Sequence, residues 1–155
     1  MTGEKTAHIT VTYRDGGDEI IRIYAVNEEI SRELDRRIQK PTGKDLRVWL
    51  ETKGCQLDLS GGPAYVRRFA SGTLVEEYYR DGKRHREDGP AVVWRFTDGS
   101  TVEEYYQGGQ RHREGGPAYI GRSTDGTTEE QYYQGGKPHR GPGAYASSTS
   151  SITST

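Results

Sequence analysis

Three histidines recur at a fixed spacing and are the side chains of this chain most able to do chemistry. His85, His112 and His139 stand at equal separations along the chain. Imidazole nitrogens can ligate a metal, but the ligands of one ion must converge on it, and equivalent positions of a repeat form a row instead. The arginines beside them would also repel a cation. We therefore predict no metal site, and a structural role in which each histidine bonds loop backbone or stacks on a tyrosine.

Adjacent carboxylates recur in the same units, at residues 76–77, 103–104 and 129–130. A glycosidase needs two carboxylates opposed across its substrate, whereas neighbouring residues of a strand point to opposite faces of a sheet. The chain also has no nucleophile motif, phosphate-binding loop or dinucleotide-binding fingerprint. We predict that the protein is not an enzyme, with no catalytic residue and no cofactor. The carboxylates are expected to form a cross-strand ladder with Arg67, Arg68, Arg95 and Arg122.

The arginines that flank the histidines leave two kinds of partner open. Arginines beside exposed tyrosines could bind single-stranded nucleic acid by stacking and neutralisation. Against this, Glu87, Asp88 and Glu114 follow the arginines closely and would neutralise them. Tyr, Trp and Arg also dominate the hot spots of protein interfaces, so a protein partner is the preferred prediction. The candidate partner-binding residues are Arg84, His85, Arg86, Trp94, Tyr105, Arg111, His112, Arg113, Tyr132 and Arg140.

The elements that must position these residues are three copies of one 27-residue unit. Each copy opens on Gly-Pro-Ala, and its two extended runs are separated by Ser-Gly or Asp-Gly, which favours a tight turn. The turns are predicted at Gly72, Gly99 and Gly126, and the second run of the first copy at residues 73–79. Residues 61–145 should therefore form an antiparallel β-meander of three hairpin repeats. The Ser/Thr-rich tail at 146–155 is expected to add an edge strand or to be disordered.

The stretch 1–60 predicts a different unit, of the order ββαβ. Residues 8–13 alternate as a strand with Ile9, Val11 and Tyr13 inward, and residues 19–26 form its hairpin partner. On that second strand the inward residues are expected to be Ile21, Ile23 and Ala25.

A helix and a further strand complete this unit. Asn27 is a suitable N-cap, and Ile30, Leu34 and Ile38 share one helical face. Residues 46–50 alternate as a third strand, with a helix over 44–52 as the alternative. The Lys53-Gly54 pair also mirrors Asp81-Gly82 and suggests a degenerate half-repeat, with Trp49-Leu50 in place of a tyrosine pair. The whole chain is thus predicted to be β-rich α+β.

Composition limits the function classes further. Hydrophobic residues make up 30% of the 155 residues and charged residues 29%, so the core must be thin. Residues 63–145 contain 12 Lys and Arg and 12 Asp and Glu, a neutral balance that is not typical of a protein that grips nucleic acid through charge alone. A single cysteine, Cys55, excludes an internal disulfide. No apolar run resembles a signal peptide or membrane span, so we predict a cytoplasmic protein without membrane contact.

The sequence of residues 78–85, Tyr-Tyr-Arg-Asp-Gly-Lys-Arg-His, resembles the core of MORN-type repeats, as does that of residues 132–139. It is more similar to the variant found in bacterial antitoxin-like proteins. The His-Arg-(Glu/Asp)-Gly-Pro-Ala connection resembles repeats of phage and bacterial proteins, although the unit is longer than a typical MORN unit. The resemblance covers the repeat array alone, and residues 1–60 resemble no family. It implies an elongated sheet used for protein or membrane-surface contacts without catalysis.

These patterns together predict a non-enzymatic protein-binding repeat module. The preferred setting is a small phage or mobile-element inhibitor, of the anti-CRISPR kind, that covers a host defence complex. One alternative is a nucleic-acid-binding module that uses the Arg-His-Arg loops and tyrosine stacking. Another is an antitoxin-like scaffold protein.

Overall fold

The structure, a computed structural model, describes residues 6–58 and 61–139. Its sheet contains β1 (Thr6–Asp15), β2 (Asp18–Asn27), β3 (Gln56–Leu57), β4 (Tyr65–Arg68), β5 (Leu74–Glu77), β8 (Val92–Arg95), β9 (Thr101–Glu104), β12 (Tyr119–Arg122) and β13 (Thr128–Gln131). Three two-stranded ribbons pair β6 (Tyr79–Arg80) with β7 (Lys83–Arg84), β10 (Tyr106–Gln107) with β11 (Gln110–Arg111), and β14 (Tyr133–Gln134) with β15 (Lys137–Pro138). The helices are α1 (Glu28–Asp35) and α2 (Gly43–Thr52). The predictions for Arg140 and for the tail at 146–155 lie outside the described residues.

The predicted hairpin meander is confirmed, and with it the β-rich α+β class. Strands follow the order β1-β2-β4-β5-β8-β9-β12-β13, all antiparallel, and β3 pairs with a further stretch of β2. The hairpins turn where predicted: the Gly72 N–H donates to the Phe69 carbonyl at 2.8 Å, and Gly99 and Gly126 make the equivalent bond at 3.0 and 3.1 Å. These glycines have φ of 101°, 94° and 92°, which side chains with a Cβ rarely adopt.

The second extended run of each repeat is broken, contrary to the single strand predicted over residues 73–79. β5 ends at Glu77, and the chain leaves the sheet at Tyr78 to form the β6–β7 ribbon. The turn between β6 and β7 uses Asp81 and Gly82 with φ of 52° and 79°, a left-handed pair whose twist suits a tight hairpin. The later repeats break at the same position. Side-chain alternation could not show this break, because the backbone is extended on both sides of it.

The predicted start of α1 is confirmed, but its end is not where the apolar spacing placed it. The Ile30 N–H donates to Asn27 Oδ1 at 2.8 Å, as expected of an N-cap. Ile30 packs against the core, yet the helix stops at Asp35 and leaves Ile38 fully exposed. The apolar period continues to Ile38, but the chain uses residues 36–42 to turn back into α2.

Residues 46–50 lie in α2 and not in the predicted third strand, so the helical alternative is the one observed. Leu46, Val48 and Leu50 alternate as in a strand, but Leu46, Trp49 and Leu50 also stand at i, i+3 and i+4. The helical period prevails because it buries Leu50 completely and packs Leu46 and Trp49 on the same core. Trp49 and Leu50 therefore do not stand in for a tyrosine pair, and the first unit reads ββαα before the short β3.

The even-numbered residues of β2 face inward, whereas the odd-numbered ones were predicted to. A two-residue turn pairs Asp15 with Asp18 and so places Val11 opposite Arg22, on the same face. Both sets of β2 residues are apolar enough that alternation alone could not choose between them. The buried residues are Ile20, Tyr24 and Val26, in place of the predicted Ile21, Ile23 and Ala25.

Both apolar clusters lie on one side of the sheet, which we call the covered face, and the other side is the open face. The first cluster lies between the sheet and the helices and consists of Val11, Tyr24 and Val26 of the strands and Leu50 of α2. The second, beneath the ribbons, consists of Val75, Ala91, Val92 and Tyr106. Strand register carries the covered face unbroken from Val11 through Arg22, Tyr65 and Glu77 to Val92.

The two helices are short. α1 has eight residues and α2 has ten. In the described part of the chain, neither has the length and apolar character needed to cross a membrane.

Candidate protein-binding surface

A column of tyrosine, carboxylate and arginine side chains runs through the ribbons on the covered face. Tyr79 donates to Glu77 Oε1 at 2.7 Å, and Arg84 Nε donates to the same oxygen at 3.1 Å. Arg84 Nη1 also reaches the Tyr106 hydroxyl at 3.4 Å, and that hydroxyl donates to Glu104 Oε1 at 3.0 Å. The structure thus places Arg84, predicted to bind a partner, as a link between the first repeat and the second.

The column continues into the third repeat and ends there. Arg111 Nη2 donates to Glu104 at 3.0 Å, and its guanidinium stands 5.3 Å from the centre of the Tyr133 ring. At the positions equivalent to Glu104 and Arg111, the third repeat has Gln131 and Pro138. Both charges are replaced together, so neither is left unpaired, and an unpaired buried charge is the arrangement that costs most.

Burial and charge in this column shift three ionisation equilibria. Burial, together with the hydrogen bond to Glu77, raises the pKa of Tyr79 to about 12. Burial disfavours the charged form of Arg84, but attraction to Glu77 outweighs it and raises the pKa of the guanidinium. Burial and Glu104 act on Arg111 in the same opposed way, and its pKa is also raised. Both arginines stay charged and are neutralised within the chain, which leaves them little capacity for an external phosphate.

Two of the three histidines, His85 and His112, join successive repeats through the backbone, which confirms the predicted structural role for these two. His85 Nδ1 accepts the Gly108 N–H at 3.0 Å, and His112 accepts the equivalent bond from the third repeat at 3.0 Å. A nitrogen that accepts carries no proton, so the proton of His85 is on Nε2, 3.1 Å from a Glu87 oxygen. Within residues 6–58 and 61–139, His, Cys, Asp and Glu form no group able to hold a metal ion.

The second arginine of each of the first two loops is fixed on a tyrosine. The Arg86 guanidinium lies 3.9 Å from the centre of the Tyr78 ring, and Nη1 donates to the Pro90 carbonyl at 3.1 Å. Arg113 repeats this arrangement over Tyr105, with the same 3.9 Å separation. Cation–π stacking and a backbone hydrogen bond together hold each arginine against its own repeat.

Four of the predicted partner-binding residues line one shallow cleft of about 530 Å³ between successive loops: Arg86, Tyr105, His112 and Arg113. The side chains that reach furthest into solvent there are acidic. Glu87, Asp88 and Glu114 are 65%, 90% and 84% exposed, whereas Arg86 is 28% exposed. The cleft therefore presents carboxylates around fixed arginines, an arrangement that repels a phosphate backbone.

Two other predicted residues lie at the end of the array or beyond it. Tyr132 is partly buried, and its carbonyl accepts the His139 N–H at 2.8 Å. That bond holds Tyr132 within the loop of the third repeat. Arg140 lies outside the described residues.

The open face carries the predicted ladder of carboxylates and arginines. Arg95 lies 3.8 Å from Glu76, and Arg122 lies 3.3 Å from Glu103, each pair across neighbouring strands. In the first two Glu-Glu pairs the first carboxylate joins this ladder and the second enters the column on the covered face. The third pair is shifted by one residue, so that Glu129 lies on the covered face opposite Gly121. The ladder is therefore confirmed for Arg95 and Arg122 with the first carboxylate of the first two pairs, and the opposite orientation of adjacent strand residues explains the division.

The other two arginines of the predicted ladder pair elsewhere. Arg67 lies 2.6 Å from Asp18 and Arg68 lies 3.7 Å from Glu19, so both bind carboxylates of β2 and not those of the repeats.

Three aromatic rings lie on the covered face at the hairpin-turn end of the sheet, and we call them the aromatic strip: Phe69, Trp94 and Phe96. The centre of the Trp94 ring is 5.8 Å from that of Phe69 and 5.9 Å from that of Phe96, with planes inclined by 24° and 12°. Phe96 remains 37% exposed. Arg67 stands over Phe69 at 5.1 Å and is itself neutralised by Asp18 at 2.6 Å. Partly exposed aromatic rings beside an arginine match the composition of interface hot spots.

The sequence analysis identified Trp94 but missed the two phenylalanines. Phe69 and Phe96 occupy equivalent positions of the first two repeats, and the third repeat has Ser123 there. A residue that the third repeat can replace is not needed to build the repeat. That pattern was the available signal for a role other than structure.

No protein-family model matches this chain. The searches of curated proteins and of solved structures give no match either. The geometry of the chain's own residues therefore has to carry the functional conclusion.

Proposed function

We propose that the chain is a non-enzymatic protein-binding repeat module whose contact surface is the aromatic strip. The observation that carries this proposal is that the candidate residues of the loops are bonded within the chain, whereas part of the aromatic strip is exposed to solvent. In the first two loops the arginines and histidines all bond or stack within the array, whereas the strip keeps Phe96 37% exposed. Hydrogen bonds between repeats hold the sheet rigid, and a preorganised surface loses less entropy on binding.

The nucleic-acid alternative has weaker support. Binding along a phosphate backbone needs free cations, and single-stranded binding needs ring faces on which bases can stack. In the loop cleft the arginines are fixed and the outermost groups are carboxylates. In the strip, Trp94 stacks between Phe69 and Phe96 at about 6 Å from each, so the largest ring has neither face free for a base.

The resemblance to MORN-type repeats supports the same proposal, because it implies a sheet that makes protein contacts. The finer settings rest on that resemblance alone: membership of that repeat family, a phage or mobile-element inhibitor that covers a host defence complex, and an antitoxin-like scaffold. They stay predictions, as does the cytoplasmic location.

The test compares protein capture by the natural chain with capture by a strip variant. Phe96→Glu adds a charge at a side chain that is already 37% exposed, so the fold should survive. Immobilised natural chain should retain one or more specific proteins from a bacterial lysate, and Phe96→Glu should lose them. Thr128→Glu, on the open face, adds the same charge away from the strip and should retain them.

A nucleic-acid titration separates the two function classes. Fluorescence anisotropy with a labelled single-stranded oligonucleotide should show no binding at physiological salt. Measurable binding with a steep salt dependence, weakened by Arg86→Ala, would overturn the protein-binding proposal. Retention of the same proteins by Phe96→Glu would instead show that the strip is not the contact surface.

A further inference from the structure

The connection between the two helices leaves large apolar side chains in solvent. Ile38 is 100% exposed and Val48, on the outer side of α2, is 50% exposed. They are two of the three large hydrophobic side chains that are exposed in the described residues, and both lie outside the repeat array. Single exposed apolar residues are ordinary, but apolar residues grouped around one cleft indicate a contact surface.

A concave site lies next to these two side chains, and Val48 lines it. A cleft of about 560 Å³ lies between the connection and α2, and its apolar wall is formed by Pro41, Val48 and Trp49. Ile38 lies between two of the lining residues, Arg37 and Gln39. The site is thus large enough to accept one or two side chains of a partner, and Ile38 does not line it but projects into solvent beside it.

The rim of this cleft is positively charged. Residues 36–44 contain Arg36, Arg37, Lys40 and Lys44 and no acidic residue, in a chain whose net charge is −1. The Arg37 guanidinium stands 5.6 Å from the centre of the Trp49 ring. The ion pair that Lys40 makes with Asp35 at 3.6 Å is between side chains that are both more than half exposed, so it holds Lys40 only weakly.

One acidic group, Asp45, also lines the cleft. Lys53 and, less strongly, Arg36 and Arg37 lower the pKa of the nearby Glu33, as expected where positive charge accumulates.

Among the lining residues the cations are Arg37 and Lys40 and the one carboxylate is Asp45. Lys44 lies outside the lining and is paired with Asp15 at 3.5 Å. The lining therefore has a small excess of positive charge, which favours an anionic ligand.

We propose that this cleft, lined by Arg37, Lys40 and Trp49 and with the exposed Ile38 beside it, binds an acidic segment of a partner protein that carries an apolar anchor side chain. The anchor would contact Val48 and Trp49, and the carboxylates beside it would pair with the cations of the rim. A concave apolar site fits a side chain that protrudes from a partner protein. A flat membrane surface cannot enter the cleft and would instead need a loop of this protein to protrude into it. A phosphate backbone would gain nothing from the apolar wall and would meet Asp45. This site is independent of the aromatic strip.

The test selects ligands without assuming a sequence. A random peptide library displayed on phage is selected against the immobilised full chain. The enriched peptides should carry aspartate or glutamate on both sides of a leucine, isoleucine or phenylalanine. In fluorescence anisotropy, Ile38→Asp and Arg37→Glu should each weaken such a peptide by about tenfold or more. Ile38→Val should bind as the natural chain does, and so should Phe96→Glu, which alters only the strip.

Ile38 is fully exposed, so loss of binding in Ile38→Asp cannot be attributed to unfolding, and circular dichroism checks this directly. The proposal is wrong if no peptide is enriched, if the enriched peptides are neutral or basic, or if Ile38→Asp binds them as well as the natural chain does. It is also wrong if vesicles of anionic lipid or a labelled oligonucleotide bind the chain in an Ile38-dependent way. Failure here with loss of capture in Phe96→Glu would refute this site and leave the strip standing.

Discussion

The first unit and the repeat array cover the same face of one sheet in different ways. The first unit relies mainly on apolar contact, with Val11 and Tyr24 of the sheet packed against Leu50 of α2, and it adds one polar link in which the Tyr24 hydroxyl donates to Glu51. The array has only short ribbons to lay over the sheet, and it fills the space with the Tyr–Glu–Arg column above a thin apolar layer. Apolar contact has no preferred direction and tolerates irregular packing. Hydrogen-bonded ion pairs require set distances and angles, so they need the same geometry in each repeat. The Tyr–Glu–Arg column therefore recurs from one repeat to the next, whereas the packing of helices on the sheet occurs once.

The junction between the two regions uses backbone hydrogen bonds equivalent to those between repeats. The Gly109 N–H donates to the Arg84 carbonyl at 2.9 Å, and at the equivalent position one repeat earlier the Gly82 N–H donates to the Leu57 carbonyl at 3.0 Å. The Asp81 N–H donates to Asp58 Oδ1 at 3.2 Å, where the next repeat uses a histidine nitrogen. A partial repeat thus exists as a backbone register in which Leu57 and Asp58 stand where the next repeat has Arg84 and His85. The predicted alignment of Lys53-Gly54 with Asp81-Gly82 differs from this register by one residue.

The largest expected effect is at the centre of the column. Tyr106→Ala should lower the free energy of unfolding by about 3–5 kcal/mol, because it removes a large buried ring from the thin core of the array. Urea denaturation followed by circular dichroism measures this loss. Tyr106→Phe keeps the ring and loses only the hydroxyl bonds, so about 1 kcal/mol is expected. Equal losses for the two variants would show that the ring itself contributes little.

The next effect separates two adjacent carboxylates. Glu77→Gln should cost about 1–3 kcal/mol, because it leaves the partly buried Arg84 without its counter-charge. Glu76→Gln, on the open face, should cost less than about 0.5 kcal/mol, as exposed pairs do. The same denaturation experiment compares them. A larger loss for Glu76→Gln would contradict the assignment of the column to the covered face.

A pH-dependent effect is expected where the first unit meets the array. The Ala70 N–H and the Arg67 side chain lower the pKa of Asp18 below its ordinary value of 3.8. A carboxylate whose pKa is lower in the folded state stabilises the fold above its ordinary pKa and ceases to do so as the pH falls below it. The melting temperature of the natural chain should therefore fall more steeply than that of Asp18→Asn between about pH 5 and pH 3.

The control for this prediction is Asp35→Asn, which changes an exposed carboxylate of the first unit. Its melting curve should follow that of the natural chain across the same pH range. If Asp18→Asn also follows the natural chain, the Asp18–Arg67 pair does not couple the two regions.

The smallest expected effect concerns the half-repeat. Asp58→Ala removes one acceptor of a backbone N–H and should cost about 1 kcal/mol. Asp58→His introduces the side chain that the repeats use at the equivalent position, and it should recover part of that loss. Thermal melts of the three proteins measure the order. Equal stability of the alanine and histidine variants would show that the junction does not share the chemistry of the repeats.

The sequence predicted the array far better than the first unit, for a physical reason. Three copies of each turn glycine fix the hairpins by local backbone preference, and copies reinforce one another. Residues 46–50 occur once, and Leu46, Val48 and Leu50 satisfy a strand period while Leu46, Trp49 and Leu50 satisfy a helical one. Only packing against β1 and β2 decides between these periods, and that contact lies far away in sequence.

The candidate surface was predicted in part. The loop arginines were found by type, but their partners Glu77 and Glu104 were not, because the ribbons that bring them together begin at an unmarked break after each first tyrosine. The apolar spacing also could not predict which side chains are exposed. Ile38 continues an apolar helical stripe in the sequence and yet lies in solvent. A residue's type and spacing identify what it can contact, and the tertiary fold decides whether that contact is made inside the chain.

The backbone links between repeats reach only from one unit to the next, and the bonds that the histidines accept are the same at both steps. His85 and His112 each accept a backbone N–H of the following unit at 3.0 Å. A tandem duplication of one unit's codons within the array would therefore give a new unit that finds its donors and acceptors already in place on both sides. Growth of this protein by unequal recombination needs no compensating substitution, and each such event would lengthen the sheet while leaving both of its ends unchanged.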